Sequence, residues 1–182
     1  SFTFLLSVLS INLVAQESSS GKGRLAIFSG VGISNCYGDY PSEYDAKVEF
    51  SFHPGARLQL NEIFNSNMLL FIDFGYLEIA YKGFVGPTDT YFYNNYEFLA
   101  LTPMGGTKLG ETGYLSGGFY FAKSLDGNSY REYTDQWVSL STENDLGLVA
   151  EIGKDLGEYF TIGVQGRFGL KSIGESTDTK TW

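Results

Sequence analysis

Histidine and cysteine occur once each in this chain of 182 residues, and proline only 4 times. The lone Cys36 makes no internal disulfide and is read as a free loop thiol, since it lies far from any lipid-attachment point. One Cys and one His form no metal cluster, so no metal and no cofactor are expected. His53 has no neighbours in sequence that would build a catalytic triad, and no catalytic residue is assigned. Basic residues are few: 12 Lys and Arg face 21 Asp and Glu, a net charge of −9. Phosphate backbones need clustered cations, so nucleic acid is excluded as a partner. Hydrophobic content is an ordinary 43%, which argues against a helical membrane bundle.

Aromatic residues and glycine are abundant instead, with 23 Gly, 13 Tyr and 15 Phe. The stretch Asn144–Gly174 shows how they are used. Leu146, Leu148, Ala150 and Ile152 alternate with Gly147, Val149, Glu151 and Gly153. After a short turn, Phe160, Ile162, Val164, Phe168 and Leu170 alternate with Thr161, Gly163, Gln165, Arg167, Gly169 and Lys171. Side chains alternate across a strand, so this is a hairpin with one apolar face and one polar, glycine-rich face. A soluble sandwich buries the apolar face. A membrane barrel turns it toward lipid and packs the polar face into its lumen.

The N-terminal run Phe2–Ala15 is apolar but shorter than the roughly 20 residues of a membrane-spanning helix. It suits the core of a secretory leader, with Val14-Ala15-Gln16 near a cleavage point and a Ser/Gly spacer behind it. Residues 1–16 are therefore read as a signal-peptide remnant, 17–23 as a flexible spacer, and 24–182 as one domain.

Within that domain the alternation predicts strands at about 24–35, 47–60, 68–82, 96–109 and 114–125, followed by the two of the 144–174 hairpin. Pro54 predicts a bulge or break in the second. Asp73 and Glu78 fall on opposite faces of the third, which suggests a register-switching bulge. The connections run alternately long and short, with the longest at Asp126–Thr142. Long outer loops and short inner turns organise an up-and-down outer-membrane barrel. The strands also exceed the 5–6 residues common in globular proteins.

Four segments carry a resemblance. They are SFHPGARLQLNEIFNSNMLLFIDFGYLEIAYKGF, YEFLALTPMGGTKLG, GYLSGGFYFAKSLDG and NDLGLVAEIGKDLGEYFTIGVQGRFGLKSIG. Over about Arg24–Gly174 the chain resembles the small outer-membrane β-barrel proteins of the PorT-like "porin family" found in Bacteroidetes. The resemblance implies an all-β fold, an antiparallel up-and-down eight-stranded transmembrane barrel exported through a cleaved leader. It brings no catalytic motif. Only seven strands are visible by this reading, so the domain is expected to be incomplete at its C-terminus, with an eighth strand beyond Trp182.

Arg57, Gln59, Glu151, Gln165, Arg167 and Lys171 all fall on inward faces. They are expected to form a structural lumen network rather than an ion path, because polar groups sealed from lipid must satisfy one another. Arg131, Glu132, Tyr133 and Asp135 in the longest loop could meet an extracellular partner, but such clusters are usually only solvated. Asp126-Gly127-Asn128 has the start of a calcium loop and lacks the remaining spacing. Glu143 and Asp145 share a face without defining a cleft. The sequence thus points to an outer-membrane barrel with the lipid bilayer as its surroundings and a structural or loop-mediated role. It is not expected to be an open general pore or an enzyme. The alternatives are a soluble, lipocalin-like ligand-binding barrel and a small outer-membrane lipid-modifying enzyme built on His53.

Overall fold

The computed structural model describes residues 2–17, 23–37, 44–61, 67–85, 90–157 and 160–170. These form nine strands: β1 (Phe2–Glu17), β2 (Gly23–Tyr37), β3 (Tyr44–Asn61), β4 (Met68–Val85), β5 (Thr90–Leu109), β6 (Gly113–Arg131), β7 (Gln136–Ser139), β8 (Asp145–Asp155) and β9 (Phe160–Gly169). They make one curled antiparallel sheet in the order β5-β4-β3-β2-β1-β9-β8-β6-β7, and β5 pairs with β6 as well. Gly110 and Gly157 hold the positive φ values, 67° and 103°, that the turns after β5 and β8 require.

The period of two sorts side chains cleanly. Along β8 and β9, Gly147, Val149, Glu151 and Gly153 and then Thr161, Gly163, Gln165 and Arg167 are buried on the concave face. Leu148, Ile152, Phe160, Val164 and Phe168 are exposed on the convex face. The same division runs through β2 to β6, where Ile27, Phe74, Leu101 and Phe119 stand outside while Phe28, Asp73, Thr102 and Tyr120 lie inside.

Glycine and the aromatics are coupled on the concave face. Phe28 pairs across the ladder with Gly55, Phe92 with Gly83, Tyr114 with Gly153 and Tyr120 with Gly147. In each pair the ring occupies the space that a β-carbon on the glycine would need. Large rings can therefore lie flat against a strongly curved wall.

The β3–β4 ladder is broken where Pro54 predicts it: pairing stops after Val48↔Tyr81 and resumes at Gly55↔Gly75. Across the gap, the Ser34 hydroxyl of β2 donates to the Ala80 carbonyl at 2.5 Å and accepts from the Ala80 N–H at 3.0 Å. A side chain from the next strand but one thus satisfies backbone groups that β3 leaves behind. The register switch expected within β4 does not occur. Its ladder to β5 is continuous from Met68 to Val85, and Asp73 and Glu78 face opposite sides by simple alternation.

Two loop expectations are revised, and a strand is found outside the expected domain. Residues 2–17, which span the expected signal-peptide remnant (1–16) and the first residue of the expected spacer, form β1, which pairs with β2 on one side and β9 on the other. This is the position assigned by the sequence to a strand beyond Trp182. An apolar run of this length reads equally as a leader core or as a buried strand, so periodicity does not separate the two. The stretch 126–142 is not a plain loop, since β6 continues to Arg131 and turns into β7. Likewise 83–95 belongs largely to the lengthened β4 and β5. Cross-strand ring contacts, Phe84–Tyr91 at 5.2 Å and Tyr93–Tyr130 at 6.2 Å, hold these extensions together.

Candidate functional site

The concave face carries a network of charged and polar side chains drawn from five strands. Arg57 of β3 is its centre. Its Nε and Nη2 donate to the Asp73 carboxylate of β4 at 2.7 and 2.6 Å. Its Nη1 and Nη2 donate to the Glu151 carboxylate of β8 at 2.7 Å each. The Tyr114 hydroxyl of β6 donates to Glu151 at 2.5 Å, and the Gln165 amide of β9 donates to it at 2.7 Å. Arg167 joins indirectly: its Nε donates to Gln165 Oε1 at 2.8 Å. The Arg167 guanidinium also lies 5.7 Å from the centre of the Tyr120 ring.

All of these groups are sealed from solvent. Glu151 is 1% exposed, Asp73 2%, Arg57 4% and Arg167 5%. Isolated charges at such depth would be prohibitive; Arg57 is bonded to both carboxylates, while Arg167 balances the charge from one step away, its Nε on Gln165 and its Nη1 without a partner among the described residues. The planar fork of Arg57 suits this place, because it serves two carboxylates at once.

Of the residues expected on inward faces, the structure buries Arg57, Glu151, Gln165 and Arg167 on the concave face and joins them. It does not pair Glu151 directly with Arg167; Gln165 stands between them. Gln59 lies on the same inward row as Arg57 and is half-buried. Lys171 falls outside the described residues. Asp73 and Tyr114 were missed, although both sit at inward positions of strands the alternation had found.

Elsewhere the polar candidates are used locally. Ser51 Oγ and His53 Nε2 are 3.2 Å apart and both residues are buried, but His53 Nδ1 has no partner among the described residues. A nucleophile and base need a third group to orient the base, and among the described residues none is bonded to His53 Nδ1. Glu132 accepts from the Tyr91 N–H at 2.8 Å, and Arg131 donates to the Tyr133 hydroxyl at 3.2 Å. The Tyr130 hydroxyl donates to Asp135 at 2.8 Å, a bond that holds the tyrosine pKa above its ordinary value. These residues shape the β6–β7 turn. Asp126 bonds its own neighbours, Gly127 N–H and the Asn128 amide. Asp145 is buried and accepts from the Tyr120 hydroxyl at 2.6 Å. Cys36 belongs to the end of β2 rather than to a loop. Among the described residues no group of acidic, His and Cys side chains is arranged to hold a metal ion.

The convex face is the counterpart. Exposed Leu, Ile, Val and Phe side chains occur on every strand from β2 to β6 and on β8 and β9. On β5 the convex face is uncharged from Leu109 up to Leu99, carrying Leu109, Thr107, Gly105, Pro103, Leu101 and Leu99, beyond which Glu97, Asn95 and Tyr93 follow. That is 11 residues from Leu99 to Leu109. Compared with known proteins, the chain matches no family model and no curated protein.

Proposed function

We propose that this chain is a bacterial outer-membrane β-barrel of eight wall strands, β1–β6, β8 and β9, with a structural or loop-mediated interaction role. The observation that carries this reading is the inverted distribution of polarity. Arg57, Asp73, Glu151 and Arg167 are buried, while Phe50 is 82% exposed and apolar side chains stand outside on seven strands, β2–β6, β8 and β9. A soluble domain does not expose so continuous an apolar surface without a partner, and here lipid supplies one. The uncharged stretch on the convex face of β5 matches the roughly 9–11 residues with which a tilted strand crosses the hydrocarbon. Pairing of β1 with β9 and of β5 with β6 supports closure, which removes free edges from the hydrocarbon.

An eight-stranded barrel has an interior just wide enough for side chains. The Arg57 network and the rings of Tyr114 and Tyr120 occupy it, so the barrel is a plugged wall element rather than a general pore. The β6–β7 hairpin, with Trp137 69% exposed, stands above the apolar band and is the surface offered to partners outside the cell. The test is refolding of the full chain into detergent and into lipid vesicles. The expected result is a folded species whose gel mobility shifts on heating and which precipitates when detergent is withdrawn. A monomer that stays soluble without detergent would return the chain to the soluble-barrel class.

A further inference from the structure

Beyond the uncharged band, the convex face of β4–β7 changes character. Lys82 pairs with Tyr93, Tyr93 with Tyr130 and Tyr130 with Trp137, which is one level of the sheet across four strands. The ring centres of Tyr93 and Tyr130 are 6.2 Å apart and those of Tyr130 and Trp137 5.3 Å, with planes tilted by 43° and 48°. The Lys82 ammonium closes the row, 4.6 Å from the centre of the Tyr93 ring and 4.0 Å from that of Tyr91. The next level down holds Asn95, Asn128 and Ser139, and the one below that Glu78, Glu97 and Asp126. The bulge that skips Leu125 lies beneath the carboxylate level, so these three levels share one register.

The aromatic row stands too far out to be a girdle at the membrane interface. Tyr93 is six residues beyond Leu99, where the uncharged stretch ends. Six residues span about 20 Å along a strand, or roughly 15 Å along the membrane normal at a tilt of 35–45°. The headgroup layer adds only about 5–8 Å on each side of the hydrocarbon. The row is also held in place. The Tyr130 hydroxyl donates to Asp135 at 2.8 Å. Asp135 has a positive φ of 53°, a conformation that Asp tolerates better than most residues. Its turn is tied by the Thr134 N–H on the Arg131 carbonyl at 3.2 Å and the Asp135 N–H on the Glu132 carbonyl at 3.4 Å. On the convex side, β7 presents two side chains, Trp137 and Ser139.

We propose that the Tyr93–Tyr130–Trp137 strip binds an uncharged oligosaccharide. The inference rests on the barrel reading, which puts the β6–β7 hairpin outside the cell, and it names the chemistry of the partner met there. A pyranose offers a C–H face that stacks on the negative face of an aromatic ring. The separation of the ring centres is close to the step from one sugar to the next along a chain. Sugar hydroxyls need polar groups beside the rings, and Asn128 and Ser139 stand one level away, about 7 Å along the strand. Charge selects among polymers. The Glu78–Glu97–Asp126 level, in a chain of net charge −9, repels an anionic glycan. Because the turn and the ring contacts already order the strip, little is lost in ordering it on binding.

The experiment is calorimetric titration of the full chain, folded in a detergent without a sugar headgroup. The probes are maltohexaose, laminarihexaose and cellohexaose, with hexagalacturonate as the anionic counterpart. The heat-shifted gel band is checked first, so loss of the barrel reading is seen separately from loss of the sugar site. Folded wild type should bind at least one neutral hexasaccharide saturably, and more tightly than hexagalacturonate. Trp137→Ala should weaken that binding at least about fivefold, the scale of an aromatic anchor, and Trp137→Phe should keep most of it. Trp182→Phe leaves Trp137 as the only tryptophan. In vesicles its fluorescence should be quenched by iodide and not by lipids brominated on their acyl chains. The proposal is overturned if folded wild type binds no neutral hexasaccharide or prefers hexagalacturonate. Unchanged affinity in Trp137→Ala, or quenching of Trp137 by brominated lipid, overturns it too.

Discussion

The ring of Tyr114 on β6 lies over Gly153, its direct partner on β8, in the space that a side chain at 153 would fill. Its hydroxyl passes beyond the glycine to donate to Glu151 at 2.5 Å. One bare backbone position therefore does two things. It lets a large ring lie against the wall, and it aims that ring's polar end into the buried network.

Gly153→Ala should consequently destabilise by about 1–3 kcal/mol, the cost of forcing a packed ring off its position. Gly147→Ala should behave alike through Tyr120. Gly166→Ala is the control, since nothing lies within 4 Å of a β-carbon there. Urea midpoints of the refolded protein measure all three, and a Gly166 variant as damaged as the others would refute the ring-over-glycine account.

Arg57→Met removes the cation between two carboxylates and should cost about 3–5 kcal/mol. Adding Glu151→Gln to it should restore part of that loss, because the buried charges that remain, Asp73 and Arg167, then balance. A double variant weaker than the single one would mean that the network stabilises through its hydrogen bonds and not through charge balance.

Leu148 is on the convex face of β8 and Val149 on the concave face. Leu148→Arg should cost roughly 2–4 kcal/mol for a cation facing hydrocarbon near mid-depth. In a water-exposed sheet the same change would stay within about 0.5 kcal/mol. Refolding yield into vesicles over a urea series distinguishes the two, and an innocuous Leu148→Arg speaks for water.

Deletion of residues 1–17 would strip β2 and β9 of their shared neighbour, β1. Unpaired backbone groups in hydrocarbon cost several kcal/mol each. The deletion variant should fail to give the heat-shifted band of the full chain. If it refolds to the same band, residues 2–17 act as a leader and not as a wall strand.

Planar-bilayer recording on the refolded chain should show no steady, large conductance, because the Arg57 network crosses the interior. Arg57→Met with Asp73→Asn and Glu151→Gln should stay non-conducting too, since Tyr114, Tyr120 and Phe71 still fill the space. Large steady steps from the wild type would require the buried charges to be reread as a transport path.

The sequence by itself determined which residues share a face. Alternation is local, set by the backbone of each strand, and it put Leu146, Leu148, Ala150 and Ile152 on one face and Glu151 on the other, and Gln165 and Arg167 opposite Val164 and Phe168, without any knowledge of neighbours. Pro54, which cannot donate to a ladder, marked the break in β3 for the same reason. Only the tertiary structure decided who meets whom inside. Glu151 takes Arg57, which is 94 residues away, and not Arg167, because partner choice depends on the stagger of non-neighbouring strands around the curl. That stagger also brings in Asp73 and Tyr114. The place of residues 2–17 beside β9, and Ser34 serving Ala80 across the β3 gap, are decided the same way. Both satisfy backbone groups left open by strands distant in sequence, and an alternation pattern records a strand's faces but not its edges.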